Sequence, residues 1–234
     1  MRSSKTNFVF VCGCARSGTS ALTALLSSAE PIFIGMERYI GLYKRTKALT
    51  TDLFEPERFL TIKNGDSHIY SFEGRPHYKG IHKKIYNVNI IGDKIPRLYR
   101  DYDMLFNNFP ACKVIFIYRN LFDVADSWDR RVESGVRWSA NGDWRAAIKE
   151  WNHSLRSTVG HLGSGKILPV SYEDLFFGTG EIDRIKEFLK TDIPKPVGKN
   201  KETEKISDPF KNREICRLGQ FGFYRKLEDF RFNN

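Results

Sequence analysis

The sequence is short of cysteine. Four residues, Cys12, Cys14, Cys112 and Cys216, in a chain of 234 do not make a disulfide framework, and the apolar, strand-like surroundings of most of them predict buried free thiols. Cys12 and Cys14 stand two apart with no histidine or second cysteine pair nearby, and the five histidines, at 68, 77, 82, 153 and 161, have no ligand spacing, so no metal site is expected. Long apolar runs are missing as well. The longest, Phe8 to Ala15, is interrupted by Gly13 and ends at Arg16, far short of the roughly 18 residues that a membrane span needs. The basic start, Met1 to Lys5, looks like the head of a signal peptide, but Arg16 follows too soon and there is no small-residue cleavage pattern, which predicts a cytoplasmic protein. Glycine and proline, 18 and 9 residues, are too sparse for a low-complexity chain, and the absence of a repeat period excludes solenoids.

Positive charge, by contrast, is plentiful: 38 Lys and Arg against 28 Asp and Glu give a formal charge of +10. Between Arg75 and Arg100 lie seven Lys or Arg and a single acid, Asp93, with His77 and His82 interleaved, a stretch that is either a solvated basic loop or an anion-binding patch. With 41% hydrophobic residues, a chain of this length can bury roughly 70–75% of its unfolded surface in one core. That predicts one domain over residues 1–234, with its motifs within about 7–189 and a tail, 197–234, left unassigned.

Periodicity supplies the fold class. Asn7 to Val11 is a continuous apolar run, a strand buried on both faces; a glycine loop follows, and from Ser17 the apolar positions Ala21, Leu22, Leu25, Leu26 and Ala29 recur at helical spacing. Strands are expected at Ile32–Ile34, Asn89–Ile91, Lys113–Tyr118 and Lys166–Val170. Helices are expected near Pro56–Ile62, from Leu98 to Phe109, over Leu121–Val132, from a cap at Asp143 through Leu162, and around Ile182–Leu189. Strands alternating with helices imply an α/β fold, a doubly wound parallel sheet with helices on both faces, whose ligands sit at the carboxyl ends of the strands.

Two segments at such strand ends carry chemistry. The loop Gly13-Cys14-Ala15-Arg16-Ser17-Gly18-Thr19-Ser20 leads from the first strand into a helix, where free N–H groups and the helix dipole favour an anion. Its Gly13 to Gly18 spacing fits the nucleotide-triphosphatase loop, but Thr19 stands where that loop has Lys, and the cation has moved to Arg16. ATP chemistry is disfavoured accordingly. The second segment, Arg119-Asn120-Leu121 through Ser127, begins just past the best strand with a base where a magnesium-binding acid would be expected. Two anion sites at one sheet edge suit a nucleotide with phosphates at both ends, although Arg119 can equally pair with Asp123 or Asp126.

Together these segments resemble the sulfotransferases. Gly13 to Ser20 is similar to their 5′-phosphosulfate loop, P-R/K-S-G-T-T/S, with Ala15 in place of the proline; Arg119-Asn120 through Ser127 is similar to their 3′-phosphate motif, R-N/D-P-x-D-x-x-x-S, with Leu121 in place of the proline. Ser171-Tyr172-Glu173-Asp174-Leu175 resembles the family's Y-E-D-L segment, whose tyrosine approaches the adenine end. The resemblance implies P-loop-type nucleotide binding by Gly13, Arg16, Ser17, Gly18, Thr19, Ser20, Arg119, Ser127 and Tyr172. The donor implied is 3′-phosphoadenosine 5′-phosphosulfate (PAPS), the product 3′,5′-bisphosphate (PAP), and no metal takes part. The acceptor is an unidentified hydroxyl or amine on a sugar, tyrosine, lipid or small molecule, with no nucleic acid as partner. Gly92-Asp93-Lys94-Ile95-Pro96 is similar to the N-K-D-P and E-K-T-P segments of tyrosylprotein and carbohydrate sulfotransferases, which implies that Lys94 joins Arg16 as a catalytic cation. Gly35-Met36-Glu37-Arg38 resembles a G-E-E-T-R segment whose second acid is the general base, which points to Glu37. Chain geometry agrees: the helix to about Ser28 leads roughly 18 Å away from the loop and the strand from Ile32 returns about 13 Å, so Glu37 emerges near the same sheet edge. Two other readings stay open, an ATP-dependent phosphotransferase and a polyanion-binding protein. His68, His77 and His82 stand as acceptor-site residues or alternative bases.

Overall fold

A computed structural model describes residues 7–67, 75–135, 142–178, 180–196 and 208–233. The chain runs β1 (Asn7–Cys12), α1 (Thr19–Ser28), β2 (Ile32–Met36), α2 (Ile40–Thr46), α3 (Pro56–Leu60), α4 (Ile81–Lys84), β3 (Ile90–Lys94), α5 (Tyr102–Asn108), β4 (Lys113–Tyr118) and α6 (Leu121–Glu133). It continues through α7 (Trp144–Val159), β5 (Ile167–Ser171), α8 (Tyr172–Phe177), α9 (Glu181–Leu189), α10 (Pro209–Leu218) and α11 (Phe221–Asn233). Short 3₁₀ turns join some of these.

The five strands form one parallel sheet in the order β2-β3-β1-β4-β5. From β1 the chain first builds outward on one side, then crosses to β4 on the other. The loops after β1 and β4 therefore diverge at their carboxyl ends and open a crevice there, the topological switch point. Alternation along each strand splits the core in two. Val9, Val11, Ile115 and Ile117 face α1 and α9, where Leu22, Leu26, Ile182 and Ile185 meet them. Phe10, Phe116 and Tyr118 face the opposite layer, where Trp128 of α6, Trp151 of α7 and Leu227 of α11 are buried.

Two expectations, both of element boundaries, need correction. The helix expected from Leu98 to Phe109 is a 3₁₀ turn, Pro96–Arg100, followed by α5. Asp101 breaks it at φ −136°, ψ 42° as the residue that caps α5, and its carboxylate accepts the Tyr43 hydroxyl. Strand β3 runs on to Lys94, three residues beyond the apolar Ile90-Ile91 core that marks it in the sequence, so Asp93 and Lys94 are strand residues. Cys12, Cys14 and Cys112 are buried free thiols, but Cys216 is exposed, since α10 turns the adjacent Ile215 inward. The tail carries structure of its own: α10 and α11 bury Ile215 and Leu227 against the main core.

Candidate active site

The loop after β1 is held from both sides. A Cβ on Gly13 would lie 2.2 Å from the Ile117 carbonyl oxygen, so only glycine lets β1 and β4 approach this closely, and the Gly13 N–H donates to Pro96 O at 3.0 Å. Arg16 and Gly18 both adopt left-handed backbone, φ 75° and 92°. Gly18 caps α1 with no side chain, which leaves the helix's first N–H groups for a ligand. From α6, Trp128 Nε1 donates to Ala15 O at 3.1 Å, and Ser127 Oγ accepts from Arg16 Nε at 2.9 Å. Ser17 is fully buried and its hydroxyl has no partner; Thr19 is buried and Ser20 exposed.

Arg119 follows β4 directly. Its guanidinium lies over the Tyr172 ring, 4.4 Å from the centroid, pairs with Asp123 at 3.6 Å, and keeps a buried Nε without a partner. The ion pair weighed in the sequence thus exists for Asp123, while Asp126 goes to Lys211 instead. Tyr172, at the start of α8, also packs on the loop: a Cβ on Gly18 would lie 2.3 Å from its ring. Burial, and then the nearness of Arg131, Arg119 and Arg130, lowers the pKa of Arg16, which marks a dense positive field at the crevice. A bound phosphate would relieve that repulsion and supply acceptors to Ser17 Oγ and Arg119 Nε, so the residues present fit a phosphorylated nucleotide.

Glu37 and Lys94 lie beside the loop, at the ends of neighbouring strands. Glu37 is a non-glycine residue at φ 61°, a conformation that costs on the order of 1–3 kcal/mol unless its surroundings enforce it. They do: its N–H donates to Lys94 O at 3.0 Å, and its Oε1 accepts from Lys94 Nζ at 2.6 Å. Behind them, the Asp93 carboxylate accepts the N–H groups of Arg38 at 3.0 Å and Tyr39 at 2.8 Å. Burial pushes the Asp93 carboxyl up to about 7 against those stabilising hydrogen bonds. A cavity of about 150 Å³ opens here, lined by Ala15 of the loop together with Glu37, Ile40, Tyr43, Ile95 and Pro96.

A protein-family model described as the sulfotransferase family matches residues 9–195. The chain belongs to this family. Its chemistry is accordingly sulfuryl transfer. Among solved structures, a sulfotransferase from Alicyclobacillus acidocaldarius is similar, with 16% identity, a TM-score of 0.58, and 98% of this chain and 97% of that one covered. A mouse sulfotransferase complexed with PAP gives 15%, 0.56, 98% and 88%, and the sulfotransferase domain of a Synechococcus olefin synthase 17%, 0.54, 98% and 97%. At such identities the likeness is one of fold. No curated protein sequence matches significantly.

In this sulfotransferase the residues singled out from the sequence gather at two adjoining places: Gly13 to Ser20 with Arg119, Ser127 and Tyr172 at the crevice, and Glu37 at the cavity, with the buried Lys94 bonded to it. Neither described candidate histidine bonds to these residues, although His77 is near enough to Lys94 to feel its charge. His77 is tied to Ile34 O at 2.8 Å and packs on Phe33, His82 is exposed on α4, and His68 lies outside the described residues. The basic stretch does not act as one patch: Lys84 binds the Ser27 and Ala29 carbonyls, Lys94 binds Glu37, and Arg97 and Arg100 bind Glu150. Arg130 and Arg131, which belong to neither motif, lie near enough for their charges to act on Arg16. Their spacing could have revealed them, since they lie three and four residues after Ser127, one turn along α6. Among the described residues no group of His, Cys, Asp and Glu is arranged to hold a metal, and no helix is long and apolar enough to cross a membrane.

Proposed function

We propose that this protein, as a single domain, transfers the sulfuryl group of PAPS to a hydroxyl or amine acceptor without a metal, with Glu37 as general base. The observation that carries this reading is the pair of buried, unpartnered donors, Ser17 Oγ and Arg119 Nε, on the two loops of the switch-point crevice. PAPS would supply a sulfuryl group already activated by its bond to a phosphate. The loop Gly13–Ser20 binds that phosphosulfate end, Arg119 and Ser127 hold the 3′-phosphate, and Tyr172 offers its ring to the adenosine. As the S–O bond to the phosphate breaks and the bond to the acceptor oxygen forms, Arg16 and Lys94 balance the negative charge that develops on the leaving oxygen. Glu37 takes the acceptor's proton. Lys94 occupies Oε1 of Glu37, which leaves Oε2 to receive it. Once Glu37 is neutral its hold on Lys94 weakens, and the ammonium is released toward the departing phosphate.

A thermal-shift panel tests the reading. PAP in EDTA is expected to stabilise the fold by about 2.7 kcal/mol at a hundredfold excess over its Kd, and adenosine 5′-phosphate much less. Arg119→Ala is expected to weaken PAP by roughly 1.5–3 kcal/mol while hardly changing the 5′-phosphate. Stabilisation by magnesium ATP or heparin in place of PAP would instead identify a phosphotransferase or a polyanion binder.

A further inference from the structure

The cavity beside Glu37 carries more positive charge than its carboxylates can match. Besides its apolar wall it is lined by Lys44, Lys47, Arg97 and Arg100. Arg97 and Arg100 both donate to one carboxylate, Glu150, at 2.9 and 2.6 Å, and the Tyr99 hydroxyl donates to it as well, so one negative charge serves two arginines. Lys47 lies 3.6 Å from Asp101, which already accepts from Tyr43. Glu37 is held by Lys94. Among the described residues two cations are therefore left without a carboxylate of their own: Lys44, and one of the Arg97 and Arg100 pair.

The arrangement has a direction. Ile40, Tyr43, Lys44 and Lys47 are the i, i+3, i+4 and i+7 positions of one face of α2 and its end, and Glu37 stands just before that helix begins. The rise from Ile40 to Lys47 is about 10 Å, so the acid is at one end of the cavity and the lysines lead away from it. A volume of about 150 Å³ has room for one six-membered ring. The apolar wall suits a ring face, and the lysine and arginine end suits an anion.

We infer that the acceptor is an organic anion: a hydroxyl compound with a ring or similar apolar body, whose hydroxyl meets Glu37 and whose carboxylate, sulfate or phosphate reaches Lys44 and the Arg97–Arg100 pair. The inference rests on the sulfuryl-transfer reading for its hydroxyl end. Its anionic end rests on the charge count alone.

The test is calorimetric titration of para-hydroxyphenylpropionate, its neutral amide, and the cationic analogue tyramine into protein saturated with PAP at low salt, with wild type and Lys44→Glu. One charge-assisted hydrogen bond predicts a carboxylate preference over the amide of about tenfold or more, with tyramine weakest. Lys44→Glu should bring the carboxylate and amide to parity while PAP affinity stays as it was. Equal affinities in wild type, a preference that survives Lys44→Glu, or failure of the carboxylate to bind while PAP does, each overturns the inference and leaves the transferase reading standing. Failure of PAP to bind strikes that reading instead. In that case the same titrations without PAP still decide, because anions held at the phosphate loop would not respond to Lys44→Glu.

Discussion

At the scale of single residues, Glu37, the base we propose, stands at a strained backbone position. Its left-handed backbone is kept by the N–H bond to Lys94 O, the ion pair to Lys94 Nζ, and the Asp93 carboxylate that gathers the next two N–H groups. Glu37→Gln preserves shape and hydrogen bonding but removes basicity, so turnover should fall by roughly 10²–10⁴ while PAP affinity is retained. Lys94→Ala removes charge stabilisation from the leaving group and should slow every acceptor alike. The two separate on a series of phenols of graded acidity: Glu37→Gln should recover toward wild type with phenols acidic enough to ionise unaided, Lys94→Ala should not. Near-normal turnover of Glu37→Gln on a weakly acidic alcohol would remove Glu37 as base.

At the scale of elements, α6 braces the loop Gly13–Ser20 of the candidate site, and the tail is tied to α6. Lys211 of α10 reaches Asp126 at 2.5 Å and Asp129 at 2.7 Å, on either side of Ser127 in sequence. Lys211→Met leaves two acids one turn apart without their cation, on the helix that carries Ser127. The expected result is a loss of about 1 kcal/mol in urea unfolding and PAP binding weakened several-fold. Leu227→Ala is the control: it opens a cavity in the core, costs about 2–5 kcal/mol of stability, and should leave the PAP affinity of folded protein as it was. Unchanged PAP affinity in Lys211→Met would show that the tail supports the core only. None of this was readable in the sequence. The loop Gly13–Ser20 and the segment Arg119–Ser127 are legible because each is contiguous and follows a strand with an unbroken apolar run. The tail's Phe221, Tyr224 and Leu227 recur every three residues, yet nothing local says that they cap Trp151 and Tyr118. Likewise Asp101 looks like an ordinary helical residue until Tyr43, fifty-eight positions away, claims its carboxylate.

For the molecule as a whole, two buried carboxylates give opposite dependences on pH. Burial raises Asp66, but hydrogen bonds from Arg58, the Lys63 N–H and Arg38 outweigh it and hold its pKa at about 2, so its stabilisation is present above 3.8 and is lost as the pH falls toward that value. Asp93 is the reverse. With its pKa raised from 3.8 to about 7, the folded state binds the extra proton between those values, so its contribution is present below 3.8 and is lost as the pH rises through 7. Wild type minus Asp93→Asn unfolding free energies should therefore decline from pH 4 to 7 and flatten above; parallel curves would show that Asp93 titrates normally. The link from Lys211 to α6 also has a history written into it. On the ribosome the chain emerges from its amino end, and Lys211 follows Asp126 by 85 residues. At about 5–20 residues per second it arrives roughly 4–17 s later. Until then Asp126 and Asp129 lack that cation, so α6 gains its full set of partners later than the strands beside it, all five of which precede Lys211 in the chain.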